Sequence, residues 1–160
     1  MPLIRIETFI KAPVTTVFDL ARSIDLHNNP DSPIGEKAVA GRTTGLICLN
    51  ETVTWQGKPF GIPAKLTTLI VAMEAPSYFR DEQVKGPFGK LRHEHLFEER
   101  DGGTLMTDRM FVEAPLWVLG KIADAIFVKR YMSRFLRLRN SWIKSIAESG
   151  KTAGEFFEKH

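Results

Sequence analysis

Two histidines and an aspartate carry the chemistry that this sequence most readily offers. His93 and His95 sit two residues apart in the run 90–100, and Asp108 follows beyond the turn-forming Asp101-Gly102-Gly103. Alternate residues of a strand share a face. Leu91, His93, His95 and Phe97 therefore take the interior, leaving Lys90, Arg92, Glu94 and Glu98 to solvent. In 104–113 the more apolar set is Met106, Asp108, Met110 and Val112. A two-residue turn at Asp101-Gly102 pairs Arg100 with Gly103. Phe97 then faces Met106, His95 faces Asp108 and His93 faces Met110, and the two face assignments agree. An acid and two imidazoles on one apolar surface allow three roles: a self-satisfied polar cluster in a core, a set of groups orienting a bound molecule, or an acid–base pair of His95 and Asp108.

Other chemistries are poorly served. His93-x-His95-x3-Glu99 copies the first half of a cupin metal motif, but the glycine spacing before it is wrong and no second histidine motif follows. The remaining histidines, His27 and His160, are not well placed, so no metal and no cofactor is expected. Cys48 lies between Ile47 and Leu49 in a strand-like apolar run, where an inert buried thiol is expected. There is no Gly-x-Ser-x-Gly elbow. Gly41-Arg42-Thr43-Thr44-Gly45 lacks the spacing and the lysine of a phosphate loop and reads as a turn. Trp55 alternates with Val53 and reads with Phe79 as interior, either cavity wall or plain core.

The elements that must position these residues follow from periodicity. Ile4, Ile6 and Ile10 alternate in a first strand. Pro13 opens a helix whose buried stripe is Val14, Val17, Phe18 and Ala21, and Ser23 caps a second short helix that ends at Asn28-Asn29-Pro30. Six strands are predicted over 35–40, 51–56, 64–74, 78–85, 90–100 and 104–113, with connections short enough to favour antiparallel neighbours. The last third, 116–148, reads as a long amphipathic helix. Its apolar stripe is Tyr131, Phe135, Leu138, Trp142 and Ile146, flanked by Val128, Met132, Leu136 and Ile143. Leu116, Leu119, Ala123 and Ile126 continue the stripe on a shifted face. The opposite face carries Arg130, Arg134, Arg137 and Lys144, with no acid from Ala125 to Ala147. Strand, two short helices, six strands and a long helix describe an α+β half-barrel, a curved seven-stranded antiparallel sheet wrapped around a C-terminal helix. Gaps between such layers are where small molecules bind.

The totals fit one domain over residues 1–149, followed by a polar tail at 150–160 that is expected to fray. The chain has 160 residues, 43% of them hydrophobic and 26% charged, and no run long enough for a membrane span. With one cysteine, no internal disulfide can form. Together with the absence of a leader-like N-terminus, this predicts a cytoplasmic protein. The net charge of +3 is modest and sits mainly on the back of the last helix, so a nucleic-acid partner is not expected.

The order of elements resembles the helix-grip fold of the START-like (SRPBCC) superfamily over residues 3–148. The run Phe79-x-Asp81-x-Gln83-x-x-Gly86-Pro87-Phe88-x-x-Leu91-x-His93-x-His95-x-Phe97 is similar to a bacterial subgroup labelled ligand-binding SRPBCC proteins or "cell division inhibitor". Asp101-Gly102-Gly103-Thr104 followed by Met106-x-Asp108 matches as well. The resemblance implies that Phe79, Asp81 and Gln83 share the inward face with His93 and His95, a choice that alternation alone leaves open. Leu91 stands where the subgroup often has a large aromatic, which would reshape the pocket. The superfamily includes lipid and sterol carriers, plant-hormone binders, polyketide cyclases, chaperone activators and quinone-binding proteins.

The expectation is a protein that binds a small hydrophobic ligand (lipid, polyketide, quinone or sterol-like) between sheet and last helix. Trp55, Phe79, Leu91, His93, Phe97, Met106, Met110, Phe127, Tyr131 and Phe135 would give apolar contact. Asp81, Gln83, His95 and Asp108 would orient the polar end. The alternative is a cyclase or dehydratase using a His-Asp pair in the same cavity. Expected partners are the ligand alone, in a monomer or homodimer without stable membrane insertion.

Overall fold

Alternation decides the strands and leaves one wide concave face for a helix. The computed structural model describes residues 3–114 and 121–157. β1 (Leu3–Ile10) leads into α1 (Val14–Ala21) and α2 (Ile24–His27). β2 (Lys37–Gly41), β3 (Thr52–Gly57), β4 (Ala64–Glu74), β5 (Tyr78–Lys85), β6 (Lys90–Arg100) and β7 (Gly103–Glu113) follow, then α3 (Lys121–Glu148) and α4 (Gly154–Phe157). The seven strands form one antiparallel sheet in the order β1-β7-β6-β5-β4-β3-β2, which is the helix-grip architecture. Register shifts between β4 and β5, at Thr67/Thr68 and Ile70/Ala72, and between β2 and β3 mark bulges that bend the sheet.

Local signals set the corners. Pro13 stands at the N-cap of α1, and the Ser23 hydroxyl accepts from the Leu26 N–H to cap α2. Asp101 and Gly102 both have positive φ, the geometry of a two-residue type I′ hairpin, and Arg100 pairs with Gly103. All of Leu91, His93, His95 and Phe97 are buried, as are Met106, Asp108, Met110 and Val112.

α3 differs from the expected stripe. Its buried arc is Val128, Met132, Leu136, Arg139, Asn140, Ile143, Ile146 and Ala147, so Ile146 keeps its expected place, while Ile126, Phe127 and Leu138 are exposed. At ~100° per residue, Phe127 and Leu138 fall roughly 150° and 135° from the centre of that arc, so they turn outward with the cations. Leu116 and Leu119 lie outside the described residues. Part of the expected polar tail is structured, for α4 forms there and Ala153 is buried in the core.

The core divides in two. One apolar cluster gathers α1, α2, Phe79, Phe97, Met106 and Ile143; the other gathers Ile4, Ile6, Leu91, Met110, Val112, Val128, Met132 and Leu136. Along β7 the boundary is Asp108, between Met106 and Met110. Along α3 it is Arg139-Asn140, between Leu136 and Ile143. A polar belt therefore crosses the molecule between its two apolar halves.

Candidate functional site

The belt is built on Asp108, which has no solvent exposure. Its Oδ1 accepts from His93 Nε2 at 2.6 Å and from Arg139 Nη1 at 3.4 Å, and its Oδ2 accepts from Asn140 Nδ2 at 2.7 Å. Burial pushes the Asp108 carboxyl up. The His93 hydrogen bond and the charge of Arg139 outweigh that effect and hold it well below the usual carboxylate range. Asp108 is thus an ionised acceptor, and His93 Nε2 is a donor.

Arg139 fixes the state of His95. A guanidinium can only donate. Its Nη2 lies 3.3 Å from His95 Nδ1, so that nitrogen is the acceptor and Nε2 carries the ring proton. Nε2 in turn sits 2.7 Å from Asp81 Oδ2 and donates to it. Burial, then the charges of His93 and Arg139, keep the His95 pKa far below its ordinary value, so the ring is neutral. It lies stacked on Phe79 at 4.0 Å between ring centroids, with the His93 ring 3.7 Å away. A continuous relay therefore runs from Arg139 on α3 through His95 on β6 to Asp81 on β5.

Asp81 opens onto a cavity of about 540 Å³ between the sheet and α3. Trp55, Phe79, Leu91, Met110, Tyr131 and Phe135 line it, joined at the polar end by Asp81, His93, His95 and Arg139. His27 and Glu36 also line it. His27 Nε2 donates to the Ala21 carbonyl at 2.9 Å, and burial with the nearby Arg139 charge pulls its pKa down to about 3. Burial pushes Glu36 up to about 7, against the pull of Arg139 and helped by Asp81.

Several expected site residues are placed elsewhere. Phe97 and Met106 are buried in the first apolar cluster, away from the cavity wall, because α1 covers that end of the sheet. Phe127 faces outward. Asp108 lies behind the histidines and does not line the cavity. Gln83 clamps the β5–β6 turn instead of facing the cavity: its Nε2 donates to the Phe88 carbonyl at 2.8 Å and its Oε1 accepts from the Phe88 N–H. A Cβ at Gly86 would come within 2.5 Å of that Oε1, so the glycine makes room for the clamp. Cys48 is exposed in a loop, not buried in a strand.

The pairing of His95 with Asp108 also needs correction. The two face each other across the ladder, but His95 Nδ1 stands 3.6 Å from Asp108 Oδ1, turned toward Arg139. His95 bonds Asp81 and His93 bonds Asp108. Arg139, Asn140, His27 and Glu36 were not among the expected site residues. For the first two a signal existed, since both sit three or four residues from Leu136 and Ile143 on the buried arc.

Asp81, His93 and His95 bring ligand-capable atoms within 4.8 Å of one another. A cation does not suit them as arranged. Metal binding at His95 Nε2 would move the proton to Nδ1, against the Arg139 N–H groups, and would add positive charge beside a guanidinium. The trio is better matched to hydrogen bonding.

Comparison with known proteins places the fold. No family model matches the chain, and no curated protein does. Solved structures match along nearly the whole chain. TTHA0849 from Thermus thermophilus is 16% identical with a TM-score of 0.76, covering 94% of this chain and 100% of that one. A START superfamily protein from Mycobacterium smegmatis is 15% identical at a TM-score of 0.70, covering 93% and 99%. Ginseng major latex-like protein 151 from Panax ginseng is 15% identical at 0.61, covering 88% and 95%. At these identities the likeness is one of fold, and the narrower bacterial subgroup finds no support in it. The chain has the helix-grip fold of the START/SRPBCC structures.

Proposed function

We propose that this chain binds a small, largely hydrophobic molecule between its sheet and α3, with the polar belt orienting the molecule's polar end. The observation that carries this reading is the cavity itself, about 540 Å³ with aromatic and aliphatic walls and the open end of a buried relay inside it. That volume falls in the range of ~300–1,000 Å³ usual for small-molecule sites. The fold, typical of hydrophobic ligand binding, supports it. Lipid, polyketide, quinone and sterol-like molecules are the classes to try. Gentle native mass spectrometry with extraction of any retained molecule is the test, followed by a melting-temperature panel of those four classes. A retained apolar molecule, or a shift with one class, supports binding. A bare protein that shifts with none overturns it.

One observation favours a second reading, a cyclase or dehydratase. Asp81 faces the cavity with His95 Nε2 2.7 Å behind it, an arrangement that could move a proton to and from a bound molecule. Turnover of a polyketide substrate with a bell-shaped pH profile, lost in Asp81→Asn, is the result this reading requires.

A further inference from the structure

The groups that meet the cavity are unequal in what they have left to give. Arg139 commits Nη1 to Asp108 and Asn140, and Nη2 to His95 and the Ala21 carbonyl. His27 Nε2 is given to the same carbonyl, His93 Nε2 to Asp108 and His95 Nε2 to Asp81. Apart from the Arg139 Nε–H, for which no hydrogen bond is found among the described residues, what these groups have left is acceptor capacity. Asp81 uses Oδ2, and among the described residues no hydrogen bond is found for its Oδ1 or for the Glu36 carboxyl.

We propose that the polar end of the cavity selects a molecule whose head donates hydrogen bonds and bears no negative charge, an alcohol, phenol or amine, and rejects the matching carboxylate. This rests on the cavity being a binding site. Arg139 and His93 both spend hydrogen bonds on Asp108, so a carboxylate would bring a further negative group beside Asp81 and Glu36, where the nearest positive groups are already engaged. An amine or hydroxyl finds at Asp81 a carboxylate oxygen with no hydrogen bond of its own, and Glu36 lines the same cavity as a second acceptor. Arg22 also lines the cavity, but it is held by Asp19 at 2.8 Å. Lys37 and Lys58 are cations on the cavity's exposed margin. They could receive a carboxylate only head-outward, which would turn its hydrocarbon end toward Asp81.

The experiment is a calorimetric titration of the full chain at pH 7.5 with three probes of equal length: decan-1-ol, decylamine and decanoate. The alcohol and the amine are expected to bind at least about tenfold tighter than decanoate. In Asp81→Asn an amide N–H₂ replaces one carboxylate oxygen, and the gap should close to about threefold or less. Decanoate binding as tightly as the other two to the unaltered protein removes this inference and leaves the cavity reading standing. No binding by any of the three removes this inference too, and the four-class panel then decides the cavity reading on its own. The comparison on the unaltered protein decides the matter even if Asp81→Asn folds poorly.

Discussion

His93 Nε2 lies 2.6 Å from Asp108 Oδ1, although the residue facing Asp108 across the ladder is His95. The same offset recurs one strand over. Asp81 faces His93, yet it is His95 that bonds Asp81. Each imidazole thus reaches diagonally to an acid on the neighbouring strand, within the range that long side chains span in a twisted sheet. The two histidines serve opposite directions, His93 inward to the belt and His95 outward to the cavity.

The two acids should therefore differ in what their removal costs. Asp108→Ala leaves Arg139 buried without its counter-charge and strips the acceptor from His93 and Asn140, a loss of about 3–5 kcal/mol. Asp81→Ala removes a group that opens onto the cavity, and should cost about 1.5 kcal/mol or less. Urea unfolding of both variants checks the ordering. Equal losses would contradict the division into belt and cavity.

Acid should destabilise the fold through His27 and His95. Both have folded pKa values below the ordinary value of 6.5, His27 at about 3, so the unfolded chain binds more protons than the folded one between those values. Stability from these groups is full above about pH 6.5 and falls as pH drops, by at most roughly 1.4 kcal/mol per pH unit for each histidine. Asp108 adds a further loss only as pH falls below its ordinary 3.8. A His27→Gln variant should show a shallower loss between pH 6.5 and about 3 in denaturant titrations.

Glu36 acts with the opposite sign. Its folded pKa, raised to about 7, exceeds its ordinary 4.5, so in that interval the folded chain holds the extra proton. Its contribution is present below pH 4.5 and is lost as pH climbs toward 7. Glu36→Gln should flatten the decline between those values, read as melting temperature against pH. A parallel curve in the variant would show that Glu36 titrates normally.

Filling the cavity should separate binding from folding. Leu91 is buried yet lines the void, so Leu91→Phe adds volume where there is space. The expected result is about tenfold weaker binding of whichever molecule the panel identifies, with a melting temperature within a few degrees of the parent. A large drop in melting temperature would mean that the wall, not the void, received the ring.

Much of the frame was legible in the residues. Alternation in β6 and β7 with the Asp101-Gly102 turn was enough for the register of all four predicted pairs, because a one-residue slip would turn every side chain over. Hydrogen-bond partners were not legible, since facing residues are set by register and diagonal reach by twist. Arg139 and Asn140 were missed because a polar pair on a basic helix suggests solvent, and only the spacing to Leu136 and Ile143 argues otherwise. Cys48 misled for the reverse reason: its apolar neighbours suggest a strand, but Ile47 alone is buried while Leu49 and Cys48 point out.

The polar belt draws one group or more from each of β5, β6, β7 and α3, so the place that would hold a guest is also the joint between sheet and helix. Anything bound to the assembled belt and not to the unfolded chain adds its own free energy to folding, about 2.7 kcal/mol at a hundredfold excess over its dissociation constant. Marginal proteins are cleared by proteases in proportion to the time they spend open. The abundance of this protein would then follow the supply of its guest, with the same four elements acting as fastener and gauge.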